Sequence, residues 1–105
     1  MYIRSAFWIG RPRAGQEKTF KDGIELELVP AMRKFPGVRA VKALWPTQRE
    51  DNPPDVALQI LVEFDRREDA QLMLASAERL ALRPRVKEVA GLFDGAMSHI
   101  EYDVG

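Results

Sequence analysis

Val56-Ala57-Leu58-Gln59-Ile60-Leu61-Val62-Glu63-Phe64 is the stretch from which the rest of the chain can be placed. Val56, Leu58, Ile60, Val62 and Phe64 alternate with Ala57, Gln59, Leu61 and Glu63. A period of two among β-branched and aromatic residues marks a strand with two differently used faces. Asp65, followed three residues later by Glu68, then reads as a helix start with Asp standing for Ser or Thr. A strand that runs straight into a helix constrains what must lie on either side.

Upstream, a polar loop holding Pro46, Asp51, Asn52, Pro53, Pro54 and Asp55 separates this strand from another, from Val38 to Trp45. Before that comes a helical pattern. Phe20, Ile24, Leu28 and Met32 recur every four residues, and Leu26, Val29 and Phe35 widen the stripe. Gly23 and Pro30 interrupt it, and Pro30 predicts a kink or restart near Glu27. Phe35-Pro36-Gly37 ends the element. Tyr2 to Ile9 alternates as a first strand, closed by a Gly- and Pro-rich loop over residues 10–15.

Downstream, Ala70, Met73, Leu74, Ala77, Leu80 and Ala81 supply a second helical stripe. Pro84 suits the first turn of a short further piece holding Val86 and Val89. Gly91 and Gly95 bracket a turn before a last strand, Ala96 to Val104. The order is βαββαβ. It predicts an α+β, ferredoxin-like domain over residues 1–105: a four-stranded antiparallel sheet with two helices on one face.

Composition narrows the function classes. The 105 residues suit one domain, and 46% hydrophobic with 30% charged is ordinary globular chemistry. Sixteen Lys and Arg balance sixteen Asp and Glu, so no net charge draws the chain to nucleic acid or an anionic membrane. The absence of cysteine removes disulfides, thiolate chemistry and Cys-based zinc sites, and fits a reducing, cytoplasmic setting. No apolar run approaches the roughly 20 residues that span a bilayer.

Two helices cover only one face of such a sheet. The expected helix-facing set is Ile3, Phe7 and Ile9, then Val56 through Phe64, then Ile100, Tyr102 and Val104. The second face would collect Tyr2, Arg4 and Trp8, Lys42 and Leu44, the alternate residues Ala57, Gln59, Leu61 and Glu63, and Met97, His99 and Glu101. Strand two could turn either way, with Val41, Ala43 and Trp45 as the alternative set. Large apolar residues left open on that face would form a patch of the kind that marks an interface. A second copy packed across a two-fold axis would cover it. The alternative is a monomer with a mixed, partly wet sheet face.

The C-terminal half carries Leu74-Ala75-Ser76-Ala77-Glu78-Arg79, then Leu92-Phe93-Asp94-Gly95, then Ser98-His99-Ile100-Glu101-Tyr102. In these motifs the chain resembles EthD-type proteins of the dimeric α+β barrel superfamily. Leu28-Val29-Pro30-Ala31-Met32 through Phe35-Pro36-Gly37-Val38 is similar to the end of the first helix in antibiotic-biosynthesis-monooxygenase relatives. The EthD-type first helix often has an aromatic- and His-rich segment, of which Phe20-Lys21-Asp22-Gly23 keeps only the Phe. The resemblance implies a fold and a homodimer, in a superfamily that includes cofactor-free monooxygenases, haem-degrading enzymes and isomerases.

His99 is the only imidazole and the candidate catalytic acid or base. Arg4 and Lys42 are candidates to orient an anionic group, with Glu63 and Glu101 as their carboxylate neighbours and Trp8 as a pocket wall. Each has a plainer reading: an interface histidine, strand charges paired with one another, and tryptophans filling a core or interface, Trp45 among them. No glycine-rich phosphate loop, nucleophile elbow or metal-spaced cluster is present. Leu58-Gln59-Ile60-Leu61-Val62 has none of the stacking residues an RNA-binding sheet would need.

The expectation is a homodimer binding a small aromatic or polyketide-like molecule between sheet and helices, without a cofactor. Catalysis, if present, would be oxygenation or isomerisation. Two alternatives stand beside it: a non-catalytic dimerisation or accessory module of a degradation or stress pathway, and haem binding through His99.

Overall fold

The computed structural model describes residues 1–105. Strand β1 (Tyr2–Pro12) leads into a first helical arm made of α1 (Glu17–Asp22), a π-helical segment (Gly23–Leu28) and α2 (Val29–Met32). Strands β2 (Val38–Leu44) and β3 (Val56–Phe64) follow, then helices α3 (Arg67–Leu74) and α4 (Ala77–Ala90), then β4 (Phe93–Asp103). The sheet order is β2-β3-β1-β4, and every neighbouring pair is antiparallel. The βαββαβ ferredoxin-like plan is the one expected. No helix is long and apolar enough to cross a membrane.

The first arm explains its own four-residue spacing. In a regular α-helix, positions four apart drift by about 40° each turn, because a turn holds 3.6 residues. A π-turn holds roughly 4.4 and drifts the other way. Mixing the two keeps Phe20, Ile24 and Leu28 on one line, and all three are fully buried. The Val29 N–H bonds to the Ile24 carbonyl, five residues back. Pro30, which has no N–H to give, then sits at the start of α2. The expected restart near Glu27 is thus a widened turn. Arg85 of α4 ties its outer edge through a hydrogen-bonded ion pair to Glu27.

One correction concerns the faces of the sheet. Cross-strand partners share a face, and the register pairs Arg4 with Val62, Ala6 with Ile60 and Trp8 with Leu58. On the other side it pairs Arg4 with Glu101, Ala6 with His99 and Trp8 with Met97. The helices therefore cover Tyr2, Arg4, Ala6 and Trp8 together with Leu58, Ile60, Val62 and Phe64. Ile3, Phe7, Ile9, Ile100 and Tyr102, expected under the helices, lie on the open face. The physical reason is Trp8. It is 2% exposed and packs edge-on against Phe20 (5.3 Å) and Phe93 (5.4 Å), which stack on each other. One indole seated in an aromatic cluster outweighs several aliphatic side chains, since such pairs add ~0.5–1.5 kcal/mol beyond their buried area. Strand β2 turns Val41, 2% exposed, toward the helices, and Lys42 and Leu44 away from them.

Three smaller differences have local causes. The second helical stretch breaks at Ser76, whose hydroxyl accepts from the Arg79 N–H as a cap, and Pro84 lies inside α4. Helix α3 has Arg66 at its cap position with no side-chain cap, and Asp65 pairs with Arg39 instead. Gly95 lies within β4 opposite Gly10 of β1, at φ +154 and +127. A Cβ on Gly95 would stand 1.9 Å from the Ile9 carbonyl oxygen, so two residues read as loop formers are what let these strands pair closely.

Candidate functional site

Between the covered face of the sheet and the helices lies a cavity of about 310 Å³. That is the small end of the ~300–1,000 Å³ range of ligand clefts. Twelve of its 17 lining residues are hydrophobic, so any polar group there is conspicuous. The sheet contributes Arg4, Ala6, Trp8, Ile60 and Val62 as floor, with Met97 and His99 from β4 at the open margin. Leu28 and Met32 wall it from the first arm. Three of the four methionines, Met32, Met73 and Met97, line it. Their unbranched thioethers let the wall adapt to differently shaped occupants.

The polar network on the floor is short and well formed. Arg4 donates to Glu101 Oε2 at 2.7 Å, and the Tyr2 hydroxyl donates to Glu101 Oε1 at 2.6 Å. Both Arg4 and Glu101 are largely shielded from solvent. The Tyr2 hydrogen bond and then the Arg4 guanidinium hold the Glu101 carboxyl below its usual range, and the same bond raises the Tyr2 phenol. His99 follows Glu101 by alternation on the same face. Partial desolvation, then the positive charges of Arg4 and Arg79, push its imidazole below its ordinary value, with Glu101 opposing. These surroundings favour the uncharged ring, the form able to accept a proton.

The six residues singled out from the sequence divide between the faces. Arg4, Trp8 and His99 line the cavity, and Glu101 joins them through Arg4. Lys42 and Glu63 do not. They pair with each other at 3.4 Å on the open face, where Glu63 opposes Ile3. Trp45 is tied to the first arm, its N–H donating to Glu25 at 2.9 Å with Lys21 over its ring, and it is not among the residues lining this cavity. Sequence reasoning missed the contribution of α4: Arg79, Arg83 and Lys87 all line the cavity. Their four-residue spacing was the available signal. No group of three or more His, Cys, Asp or Glu is placed to hold a metal ion.

No protein-family model matches the chain, and no curated protein sequence matches it. Solved structures do. An EthD family protein of Bacillus halodurans superposes with a TM-score of 0.79 at 17% identity, over 100% of both chains. A candidate antibiotic biosynthesis monooxygenase of Nitrosomonas europaea superposes with a TM-score of 0.65 at 16% identity, over 99% of this chain and 98% of that one. A protein of Bacteroides fragilis, described as dimeric, of unknown function and ferredoxin-like in fold, gives 0.67 at 10% identity over 98% and 96%. At such identities the likeness establishes a common fold, and the chain has the ferredoxin-like α+β fold of EthD-type and antibiotic-biosynthesis-monooxygenase-type proteins, as its sequence motifs suggested.

Proposed function

We propose that this chain is a homodimeric α+β-barrel protein of the cytoplasm that binds a small, largely apolar and aromatic molecule between its sheet and helices. His99 acts there as a proton acceptor, with no cofactor. The observation that carries this reading is an apolar cavity whose margin holds the only imidazole, beside the positive charges of Arg4 and Arg79. A neutral imidazole beside an apolar floor suits removal of a proton from an activated carbon acid. Return of the proton from the imidazolium to another carbon completes an isomerisation. With dioxygen as four-electron oxidant, the same carbanion of a methylene substrate enters an oxygenation: both C–H bonds break, the carbon becomes a carbonyl holding one oxygen atom, and the other oxygen leaves as water with the two hydrogens. The likeness to a candidate monooxygenase supports the second outcome no more than the first.

Dimerisation is supported by the open face. Ile100 is 48% and Tyr102 42% exposed there, beside Ile3, Phe7 and Leu61. No helix covers this apolar surface, and a second copy across a two-fold axis would bury it. That same surface also favours the second reading, a non-catalytic dimerisation module.

A native mass spectrum of the purified protein, read with His99→Gln turnover on a panel of enolisable aromatic ketones, tests the proposal. A species at twice 12.0 kDa with turnover lost in His99→Gln supports it. A dimer whose His99→Gln variant is indistinguishable from wild type leaves the module. A bare monomer removes the barrel.

A further inference from the structure

The cavity is electrically lopsided in a chain that is neutral as a whole. Its lining includes four permanent cations and no carboxylate. Arg4 is neutralised by Glu101. Eight of the 16 Lys and Arg residues have no acidic partner within 4 Å, and Arg79, Arg83 and Lys87 are the three of these that line the cavity. The three free cations stand four residues apart on α4, a spacing at which like charges repel and weaken a helix. Lys18 and Asp22 use the same spacing on α1 as an attractive pair.

Arg79 is the innermost of the three. It is half-buried, and its side chain reaches only the Leu74 carbonyl, at a long 3.4 Å. Burial, Arg83 and Arg4 all act to lower its affinity for a proton, which means that it sits in a field already positive. The same field reaches His99. A second group points the same way. Trp8 is 2% exposed and lines the cavity, yet its indole N–H has no acceptor in the protein. A buried donor without a partner is destabilising unless an occupant accepts from it. Uncompensated donors, positive charge and an apolar wall describe one kind of complement.

We infer that the occupant is an organic monoanion, an apolar or aromatic body bearing a carboxylate or acidic phenolate. Arg79 and Arg83 of α4 form the head-group site. This rests on the cavity being the binding site. The forked guanidinium of Arg79 suits a planar carboxylate held by two parallel hydrogen bonds. An anion placed there also relieves the repulsion among Arg4, Arg79 and Arg83 and gives a protonated His99 a counter-charge.

The test compares naphthoate with naphthylmethanol, and octanoate with octanol, by calorimetry on the intact protein. Because His99 is the only histidine, its ring-proton NMR signal reads the site without ambiguity. Each acid is expected to bind at least about tenfold more tightly than its alcohol, as a charge-assisted pair worth ~1.5–3 kcal/mol requires. It should also raise the His99 titration midpoint, which the alcohols should leave in place. Arg79→Gln with Arg83→Gln should abolish the preference with the circular dichroism spectrum unchanged. Lys42→Gln, on the opposite face, should retain it. Equal affinity for acid and alcohol overturns the head-group assignment while leaving the cavity as the site. Failure of all four compounds to shift the His99 signal overturns the cavity reading, and this inference with it.

Discussion

Where β1 meets β4, the two faces of the sheet invert the usual expectation. The covered face carries Arg4, His99 and Glu101, while the uncovered face carries Ile3, Phe7, Leu61, Ile100 and Tyr102. Polarity alone would have placed them the other way. The difference teaches that a face is committed by its largest rigid side chain and by the shape of what packs on it. Polar residues caught on the covered side can then persist only if they are paired, as Arg4 and Glu101 are, or line a space, as His99 does. Apolar residues left on the other side need a partner from outside the chain.

The sharpest way to break this comparison is Trp8→Ala. It removes the residue that selects the covered face and leaves a void between Phe20 and Phe93. A loss of about 3–5 kcal/mol in urea unfolding is expected, and a loss below about 1 kcal/mol would mean that the facing is set elsewhere. Arg4→Ala is expected to cost less, about 1–2 kcal/mol, by leaving a partly shielded Glu101 with only Tyr2 for company.

Acid separates the same groups in a third measurement. His99 has its proton affinity lowered from an ordinary 6.5, so the unfolded chain takes up a proton first. The stability it contributes is complete above pH 6.5 and falls as pH drops below that value. Glu101 is lowered from 4.5, and its contribution is complete above that and falls in a second, lower window. Stability against pH should therefore decline in two stages. His99→Gln should remove the upper stage and Glu101→Gln the lower, and a single stage unaffected by either would contradict the assignment. Ile100→Asp should have the smallest effect on the fold, within about 0.5 kcal/mol for so exposed a position. It should nevertheless convert a dimer to a monomer in native mass spectrometry if the open face is the interface.

The elements were largely legible because their signals are local. β3 spans Val56–Phe64, as its alternation indicates, and the order of elements follows from punctuation at Phe35-Pro36-Gly37 and the loop at residues 46–55. The facing of β1 and β4 was not legible. Each of these strands alternates, but which phase turns inward is decided across the sheet, by register with β3 and by Trp8 meeting Phe20 and Phe93. The candidate site inherited that ambiguity. Arg4, Trp8, His99 and Glu101 share one phase of adjacent strands and so fall on one face, whereas Lys42 and Glu63 belong to the other. Arg79, Arg83 and Lys87 were passed over because cations on a helix ordinarily face water.

The π-helical segment has a consequence for what length changes the cavity wall tolerates. Its wide turn amounts to one residue more than a regular helix would need, so removing a single residue, Leu26 for example, would let the arm wind uniformly. Six π steps of about 82° and five α steps of about 100° turn the chain through nearly the same angle. Phe20 would stay anchored under Trp8, and Leu28 and Met32 would still face the cavity. A one-codon deletion here would thus leave the chamber's wall in phase, whereas the same deletion in α4, a regular helix, would swing everything beyond it by about 100°.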